Sequence, residues 1–185
     1  MIHDTGKNLK KAHTQYPSRP RWDEFWLMQT LFYSTRGTCD RLKTGCVIVD
    51  EHNRLISAGY NGSLPGADHC DEVGHLMIDG HCMRTLHAEE NALLRAPKDS
   101  LIGATSYALY SPCIHCAKKL LSLGIKKIIY AREFGNMHGQ DKGWEFVRSH
   151  ARKQGVSMEH VSIDFDALQK KMLSILKGPG GILKK

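Results

Sequence analysis

The segment ATSYALYSPCIHCAKKLLSLGIKKIIY, residues 104–130, decides the fold of this chain. It begins with the apolar run 104–110, which is typical of a buried strand, and continues into 113–123, where apolar spacing indicates a helix. Gly124 stands where a helix commonly ends, and the apolar run 128–130 predicts a second strand. The order strand, helix, strand calls for a right-handed crossover between parallel strands. We therefore predict an α/β domain.

The rest of the chain extends this unit into a larger sheet. Periodicity and turn residues predict a helix over 22–32, strands at 46–49 and 55–58, a long loop over 59–83, a helix over 84–95, a helix containing Trp144, Val147 and Ala151, a strand over 156–163, and a helix capped by Asp164. Together they predict a three-layer α/β/α fold with a mixed sheet of about five strands between helical layers.

The length of 185 residues fits one domain with a full-sized core. We expect a polar N-terminal arm over 1–19, a single domain over 20–177 with an insertion at 61–83, and a basic C-terminal tail over 178–185. Loops as long as the insertion are usually functional or held in place by other contacts.

Composition favours a soluble protein, with 41% hydrophobic and 24% charged residues. No apolar run approaches the roughly 20 residues that span a bilayer, and the first residues lack the apolar core of a signal peptide. We expect no membrane association and a cytoplasmic location. There the six cysteines point to metal rather than disulfides, and the formal net charge of +7 favours acidic partners such as nucleotides, RNA or DNA.

Two short motifs suggest a metal site. His87 and Glu89 open one predicted helix, and Cys113 and Cys116 open the next. Cysteines three positions apart at a helix start lie about one turn apart, and the helix dipole favours their thiolate forms. With His87 as third ligand, zinc keeps its fourth position for an activated water, as in catalytic sites. Glu89 is then placed to move protons without being a ligand.

A closed structural zinc site without catalysis is the alternative interpretation of these residues. A closed site needs a fourth protein ligand. The sequence offers no obvious one near the trio, since His115 lies between the two cysteines on another side of the helix.

Four segments resemble a known family: GYNGSLPG at 59–66, HAEENAL at 87–93, SPCIHCAK at 111–118 and GIKKIIYA at 124–131. The pattern H-x-E…P-C-x-x-C is the signature of zinc-dependent nucleobase deaminases. The GYNG segment and the cysteine-rich loop before HAE resemble the deoxycytidylate (dCMP) deaminases in particular. The resemblance implies the cytidine-deaminase-like fold and hydrolysis of dCMP to dUMP and ammonia, which supplies dUMP for dTTP synthesis.

The resemblance also implies a second, structural zinc. Cys39 and Cys70 match ligand positions of the second zinc that several family members carry. For the other two ligands we favour His75 and Cys82, with His81 as the substitute for either. The alternative is that these are ordinary buried cysteines and polar loop residues.

Five residues are expected to meet the substrate. In the resembled family the asparagine at the position of Asn61 reaches the sugar, and the positions of Thr44, Ala88 and Ser111 line the pocket, the last two through their backbones. Arg41 is the nearest basic candidate for the phosphate, although simple surface solvation is the alternative for it.

Regulation and assembly follow from the resemblance alone. It implies a homo-oligomer, with a hexamer favoured, activation by dCTP bound with Mg²⁺, and inhibition by dTTP.

Two other functions are compatible with parts of the sequence. A tRNA adenosine deaminase shares HAE and P-C-x-x-C and suits the positive charge, but it has no obvious use for the loop at 67–82. A DNA-associated protein that keeps the fold only for binding would have no need of Glu89.

Overall fold

The computed structural model describes residues 19–134, 142–178 and 180–183. Most of the expected N-terminal arm and part of the expected C-terminal tail lie outside the described residues, so both stay predictions. Within the described ranges no helix combines the length and the apolarity that crossing a bilayer requires. The expected cytoplasmic location also stays a prediction.

The described chain contains six α-helices, one 3-10 helix and nine strands. The helices are α1 (Trp22–Ser34), α2 (Cys70–Val73), α3 (Ala88–Arg95), α4 (Ile114–Ser122), α5 (Lys142–Lys153) and α6 (Phe165–Lys177), with a 3-10 helix at Lys98–Leu101. The strands are β1 (Gly45–Val49), β2 (Leu55–Tyr60), β3 (Gly62–Ser63), β4 (Met77–Ile78), β5 (His81–Cys82), β6 (Thr85–Leu86), β7 (Thr105–Tyr110), β8 (Lys127–Arg132) and β9 (Ser157–His160).

Five strands form one mixed sheet in the order β2-β1-β7-β8-β9. Strand β1 is antiparallel to both β2 and β7, whereas β7, β8 and β9 run parallel. The crossover from β7 through α4 to β8 joins parallel strands, as predicted from residues 104–130. The remaining short strands pair as two separate ribbons, β3 with β6 and β4 with β5.

The central strand β1 is buried on both faces, and its alternating side chains enter two different core clusters. Cys46 and Ile48 pack with residues of α3 and α4 on one face. Val47 and Val49 pack with Trp26 and Leu27 of α1 on the other. Helix α5 packs outside α4 through Trp144 and Val147, beside Ala117 and Tyr130. The predicted three-layer fold with a five-stranded mixed sheet is confirmed.

The helix predicted over 84–95 begins later than expected. Residues Thr85–Leu86 form β6, and His87 has extended backbone dihedrals (φ −68°, ψ 156°) as the N-cap of α3. The cause is local, because the Glu90 carboxylate accepts the His87 N–H at 3.0 Å and closes a capping interaction.

The strand predicted over 156–163 is shorter than expected, because pairing with β8 stops at Tyr130 opposite His160. Beyond it, the Val161 N–H still donates to the Tyr130 carbonyl at 2.9 Å, and the side chains of Val161 and Ile163 pack against the core cluster that contains Trp26 and Leu27. The apolar pattern beyond His160 therefore reflects side-chain packing on the core, with one further backbone hydrogen bond to β8.

The region 59–83 is not the featureless loop that its composition predicts. It contains the end of β2, the strands β3, β4 and β5, and the one-turn helix α2. Strands of two residues leave no periodic signal in a sequence, which explains why they were not predicted.

Candidate metal centre and active site

The starts of α3 and α4 bring together one histidine and two cysteines. His87 is the N-cap of α3 and Cys113 is the N-cap of α4, with Cys116 in the first turn of that helix. His87 Nδ1 lies 3.5 Å from Cys113 Sγ and 3.5 Å from Cys116 Sγ. All three donor atoms lie within 4.8 Å of one another.

This donor set fits zinc in both chemistry and spacing. Two thiols and one imidazole are ligands that zinc prefers. Metal–ligand bonds of about 2.0–2.3 Å in a tetrahedron place neighbouring nitrogen and sulfur donors about 3.5 Å apart. The distances from His87 to Cys113 and Cys116 match that value.

The three donors also share protons that a metal ion would displace. A hydrogen bond from Cys116, followed by one from His87, lowers the pKa of Cys113 to about 3. The bond with Cys113 raises the pKa of His87 to about 9, and the same thiolate and burial raise the pKa of Cys116. Metal binding at such a site releases protons.

Glu89 lies beside the trio, with only 7% of its surface exposed. Burial is the main cause that raises the pKa of its carboxyl to about 7. A group with a pKa near neutrality can both accept and donate a proton at neutral pH. Glu89, His87 and Cys113 line the same cavity, so a proton-transfer group faces the metal-donor set.

A second cluster consists of Cys39, Cys70, His75 and Cys82, whose donor atoms also lie within 4.8 Å of one another. Cys70 Sγ is 3.5 Å from Cys82 Sγ, and Cys39 Sγ is 3.8 Å from His75 Nδ1. Cys39 comes from the segment between α1 and β1, and the other three come from the region between β3 and β6. The structure thus brings together the four residues favoured from the sequence.

Asp40 completes this second cluster in a way that the sequence did not reveal. Its carboxylate Oδ1 lies 3.0 Å from His75 Nε2, the ring nitrogen that faces away from Cys39. A metal-binding histidine usually bonds a carboxylate or carbonyl through its second nitrogen, which fixes the orientation of the ring. Asp40 occupies that position for His75.

The two clusters border one cavity of about 260 Å³. The first cluster and its acid contribute His87, Glu89 and Cys113, and the second contributes Cys39 and Cys82. The other lining residues are Arg41, Leu42, Thr44, Asn61, Gly80, His81, Thr85, Tyr110, Ser111 and Phe134. Residues of both clusters therefore face the same cavity.

Asn61 connects the end of β2 to the segment before β1. Its side-chain Nδ2 donates to the carbonyls of Leu42 (2.8 Å) and Cys39 (3.4 Å), and its Oδ1 accepts the Thr44 N–H at 2.9 Å. Its backbone N–H donates to the Thr44 carbonyl, and its carbonyl accepts the Thr38 N–H. Asn61 therefore holds the cavity wall in shape.

Of the five residues expected to meet the substrate, Asn61, Thr44, Ser111 and Arg41 line the cavity. Ala88 does not, because it is fully buried in the core where α3 packs on the sheet. Arg41 is the only lysine or arginine among the described lining residues, and its Nη1 donates to the Gly80 carbonyl at 3.2 Å.

His81, the substitute ligand, is not part of the second cluster. It is exposed and lines the cavity instead.

The aromatic contact between Tyr110 and Phe134 at the cavity was not predicted from the sequence. The rings of Tyr110 and Phe134 meet edge to face, with centroids 6.3 Å apart. The Phe134 N–H donates to Ser111 Oγ at 2.8 Å, which fixes the chain beyond β8 against the end of β7. The position of Tyr110 at the carboxyl end of a parallel strand, where ligands bind in α/β sheets, was the available signal.

Comparison with known proteins agrees with this geometry. The family model described as the cytidine and deoxycytidylate deaminase zinc-binding region matches residues 20–132. ComE operon protein 2 of Bacillus subtilis (strain 168) is 36% identical over 165 residues, which cover 86% of this chain and 83% of that protein. The deoxycytidylate deaminase of Mycobacterium phage D29 is 34% identical over 128 residues, which cover 63% of this chain and 98% of that enzyme.

A solved structure shares the fold. The dCMP deaminase from the cyanophage S-TIM5, in complex with dCMP and dUMP, superposes with a TM-score of 0.60 at 26% identity, covering 78% of this chain and 99% of that chain. The family match spans more than half of the 185 residues and includes both halves of the metal-donor set. The resemblance seen in the sequence is confirmed, and the chain belongs to the family of zinc-binding cytidine and deoxycytidylate deaminases.

Proposed function

We propose that this protein hydrolyses dCMP to dUMP and ammonia, and thereby supplies dUMP for dTTP synthesis. His87, Cys113 and Cys116 hold a catalytic zinc, and Glu89 is the catalytic acid–base. The observation that carries the proposal is the placement of buried Glu89 in one cavity with the His87 donor set. Relatives at 34–36% identity include enzymes named for this activity.

The reaction exchanges the amine on C4 of the base for an oxygen from water. Zinc, when bound, supplies a water that is activated at neutral pH. Glu89 accepts a proton from the attacking water and delivers it to ring nitrogen N3 as the C4–O bond forms. The second proton reaches the exocyclic amine through the same carboxyl as the C4–N bond breaks and ammonia leaves. A buried carboxyl with a pKa of about 7 suits both transfers.

Replacing Glu89 with Gln tests this assignment. Gln has nearly the same shape but carries no transferable carboxyl proton, and general acid–base groups contribute about 10²–10⁴-fold to rate. We expect Glu89→Gln to lower kcat for dUMP formation by at least about 100-fold, with zinc content unchanged. Ammonia release from dCMP and metal analysis of the same sample measure the two quantities.

The exposed Glu145 on α5 provides a matched control, since Glu145→Gln makes the same chemical change at a residue that does not line the cavity. Its kcat should equal that of the unmodified protein. Activity that survives Glu89→Gln would contradict the assigned role. A tRNA anticodon arm, assayed in parallel, separates the proposed substrate from the rival one: deamination of the arm and not of dCMP would replace the proposal.

Within the same proposal, Arg41 binds the 5′-phosphate, and Asn61 accepts a hydrogen bond from a sugar hydroxyl. Thr44 and Ser111 form further parts of the pocket wall. Arg41 supports this role because it supplies the only permanent cation among the described lining residues. The Asn61 Oδ1 atom has one lone pair left for a sugar hydroxyl after accepting the Thr44 N–H.

We also propose that the second cluster, Cys39, Cys70, His75 and Cys82, binds a structural zinc. Its support is the closed set of four donors and the carboxylate of Asp40 on His75. A hexameric assembly, activation by dCTP with Mg²⁺ and inhibition by dTTP remain proposals that rest on the family. Light scattering with and without each nucleotide, together with initial rates, tests them.

A further inference from the structure

Glu90 follows the catalytic Glu89 in the chain, yet its side chain is not among the residues that line the cavity. Its carboxylate is bonded to two groups instead. Oε2 accepts the backbone N–H of His87 at 3.0 Å, and Oε1 accepts a hydrogen bond from the Lys119 ammonium group. One carboxylate therefore connects α3 to a side chain of α4.

Lys119 lies on the same helix, α4, as the metal-donor residue Cys116. Lys119 lies three residues after Cys116, so the two side chains share one face of the helix. Glu90 thus links the backbone of one metal-donor residue to the helix that carries the other two. The pair is partly open to solvent, with Lys119 50% and Glu90 21% exposed at the side chain.

The metal-donor set depends on how these two helices meet. His87 reaches the thiols from the start of α3, whereas Cys113 and Cys116 both belong to the start of α4. A small shift of one helix against the other changes both 3.5 Å separations at once. Groups that orient metal ligands without binding the metal commonly contribute about 10–100-fold to metal affinity.

We infer that Glu90 and Lys119 form a positioning pair, which holds the start of α3 against α4 and so keeps His87 Nδ1 in reach of both thiols. The inference rests on the proposed function in one respect only: it takes His87, Cys113 and Cys116 as the zinc ligands. It requires nothing of the substrate. The two neighbouring acids of the HAEE segment then have different roles. Glu89 acts at the reacting atoms, and Glu90 binds the backbone of the ligand His87.

Zinc release to a chromophoric chelator tests the pair without any measurement of turnover. Lys119→Met removes the ammonium group and keeps an aliphatic chain, and Glu90→Gln removes the charge but keeps an oxygen that can accept the His87 N–H. Each change should weaken zinc binding and speed release about tenfold, and the double variant should show no larger effect than either single change. Lys119→Arg keeps a positive charge and should release zinc as slowly as the unmodified protein. Lys118→Met, at the exposed neighbouring lysine, should leave the rate of zinc release unchanged.

A Cys113→Ser variant identifies the release phase that belongs to this site, because the second cluster can contribute its own. If Cys113→Ser changes no phase, the proposed ligation fails, independently of the pair. If Lys119→Met and Glu90→Gln release zinc from the identified site at the unmodified rate, the positioning role is overturned. Equal losses of thermal stability with and without zinc would also overturn it, since the pair would then stabilise the fold rather than the metal geometry.

Discussion

Asn61 makes five hydrogen bonds to the four residues Thr38, Cys39, Leu42 and Thr44, through both its backbone and its side chain. Both amide hydrogens are used on backbone carbonyls, so its side chain cannot donate to a sugar without losing one of these bonds. Contact with the substrate is therefore limited to acceptance at Oδ1. The main role of Asn61 is therefore to hold the cavity wall in shape, and contact with the ligand is secondary.

Truncation of Asn61 should therefore weaken both the cavity wall and the binding of substrate. Asn61→Ala removes three side-chain hydrogen bonds and leaves one buried and two partly buried backbone groups without these partners, and a loss of about 1–3 kcal/mol is typical for such a change. We expect a lower free energy of unfolding in denaturant and a KM for dCMP that rises more than kcat falls. Asn61→Asp keeps the acceptor for Thr44 but sets a buried carboxylate oxygen against the carbonyls of Cys39 and Leu42, so it should destabilise the protein at least as much as Asn61→Ala. A fall in kcat with unchanged KM and stability would assign Asn61 to the chemical step instead.

At the scale of elements, the site depends on the close approach of α3 to β2. A side-chain carbon at Gly59 would lie 2.4 Å from the Ala88 carbonyl oxygen and 2.5 Å from the Ala92 nitrogen. Both atoms belong to the backbone of α3, which cannot move aside as a flexible side chain can. The absence of a side chain at Gly59 therefore sets how deep the start of α3, and with it His87, lies against the sheet.

Gly59→Ala should push α3 away from the sheet. Overpacking of this kind typically costs about 1–3 kcal/mol, and here it should also lower zinc affinity and kcat because His87 and Glu89 move with the helix. Gly66→Ala is the control, because Gly66 has open space around it but a φ of +80°. That variant should lose stability through backbone strain alone and keep the kinetic constants and zinc affinity. A Gly59→Ala protein with unchanged zinc affinity would contradict the dependence.

The position of the first metal-donor set could be predicted from the sequence for a reason found at this same scale. His87 and Cys113 each open a helix beside a strand, and such positions have local signatures in caps and apolar spacing. The Cys-x-x-Cys step then places Cys116 without further information. The start of α3 at Ala88 was missed because Thr85 and Leu86 pair with β3 as the two-residue strand β6, which is too short to leave a pattern in the sequence.

The contacts that the sequence did not reveal join residues far apart in the chain. Lys119 and Glu90 are 29 positions apart, and Asp40 and His75 belong to separate segments. No periodicity links such pairs, because each depends on how whole elements pack. The missed ribbon strands, such as β4, have too few residues to show an alternation of any kind.

At the scale of the whole molecule, two Cys/His clusters border one cavity from different parts of the fold. His87 and Cys113 stand at the carboxyl-end side of the central sheet, whereas Cys39 and Cys82 belong to the region outside it. Loss of the second cluster should therefore weaken substrate binding, because the cavity wall that it supports includes Arg41.

Cys70→Ser tests the proposed second zinc separately from the first, because Cys70 is a ligand candidate that does not line the cavity. We expect one metal ion fewer per chain by mass spectrometry, a higher KM for dCMP and a lower Tm. Each kcal/mol lost should lower Tm by about 2–4 °C in a chain of this size. Cys46→Ala, at a core cysteine outside both clusters, should keep the full metal content. Equal metal content in Cys70→Ser and the unmodified protein would show that the second cluster holds no metal.

The ribbon of β3 and β6 has a consequence for how this protein could be re-engineered. Ser63, where the chain departs, is paired directly with Thr85, where it returns. The intervening stretch is thus a cassette with adjacent ends, and it carries three of the second-cluster residues together with His81. A tight turn, or a foreign cassette, could be spliced between the same two positions without altering the order of the central strands. Substrate preference could then be redesigned by exchanging one contiguous piece of chain that does not include His87, Cys113 or Cys116.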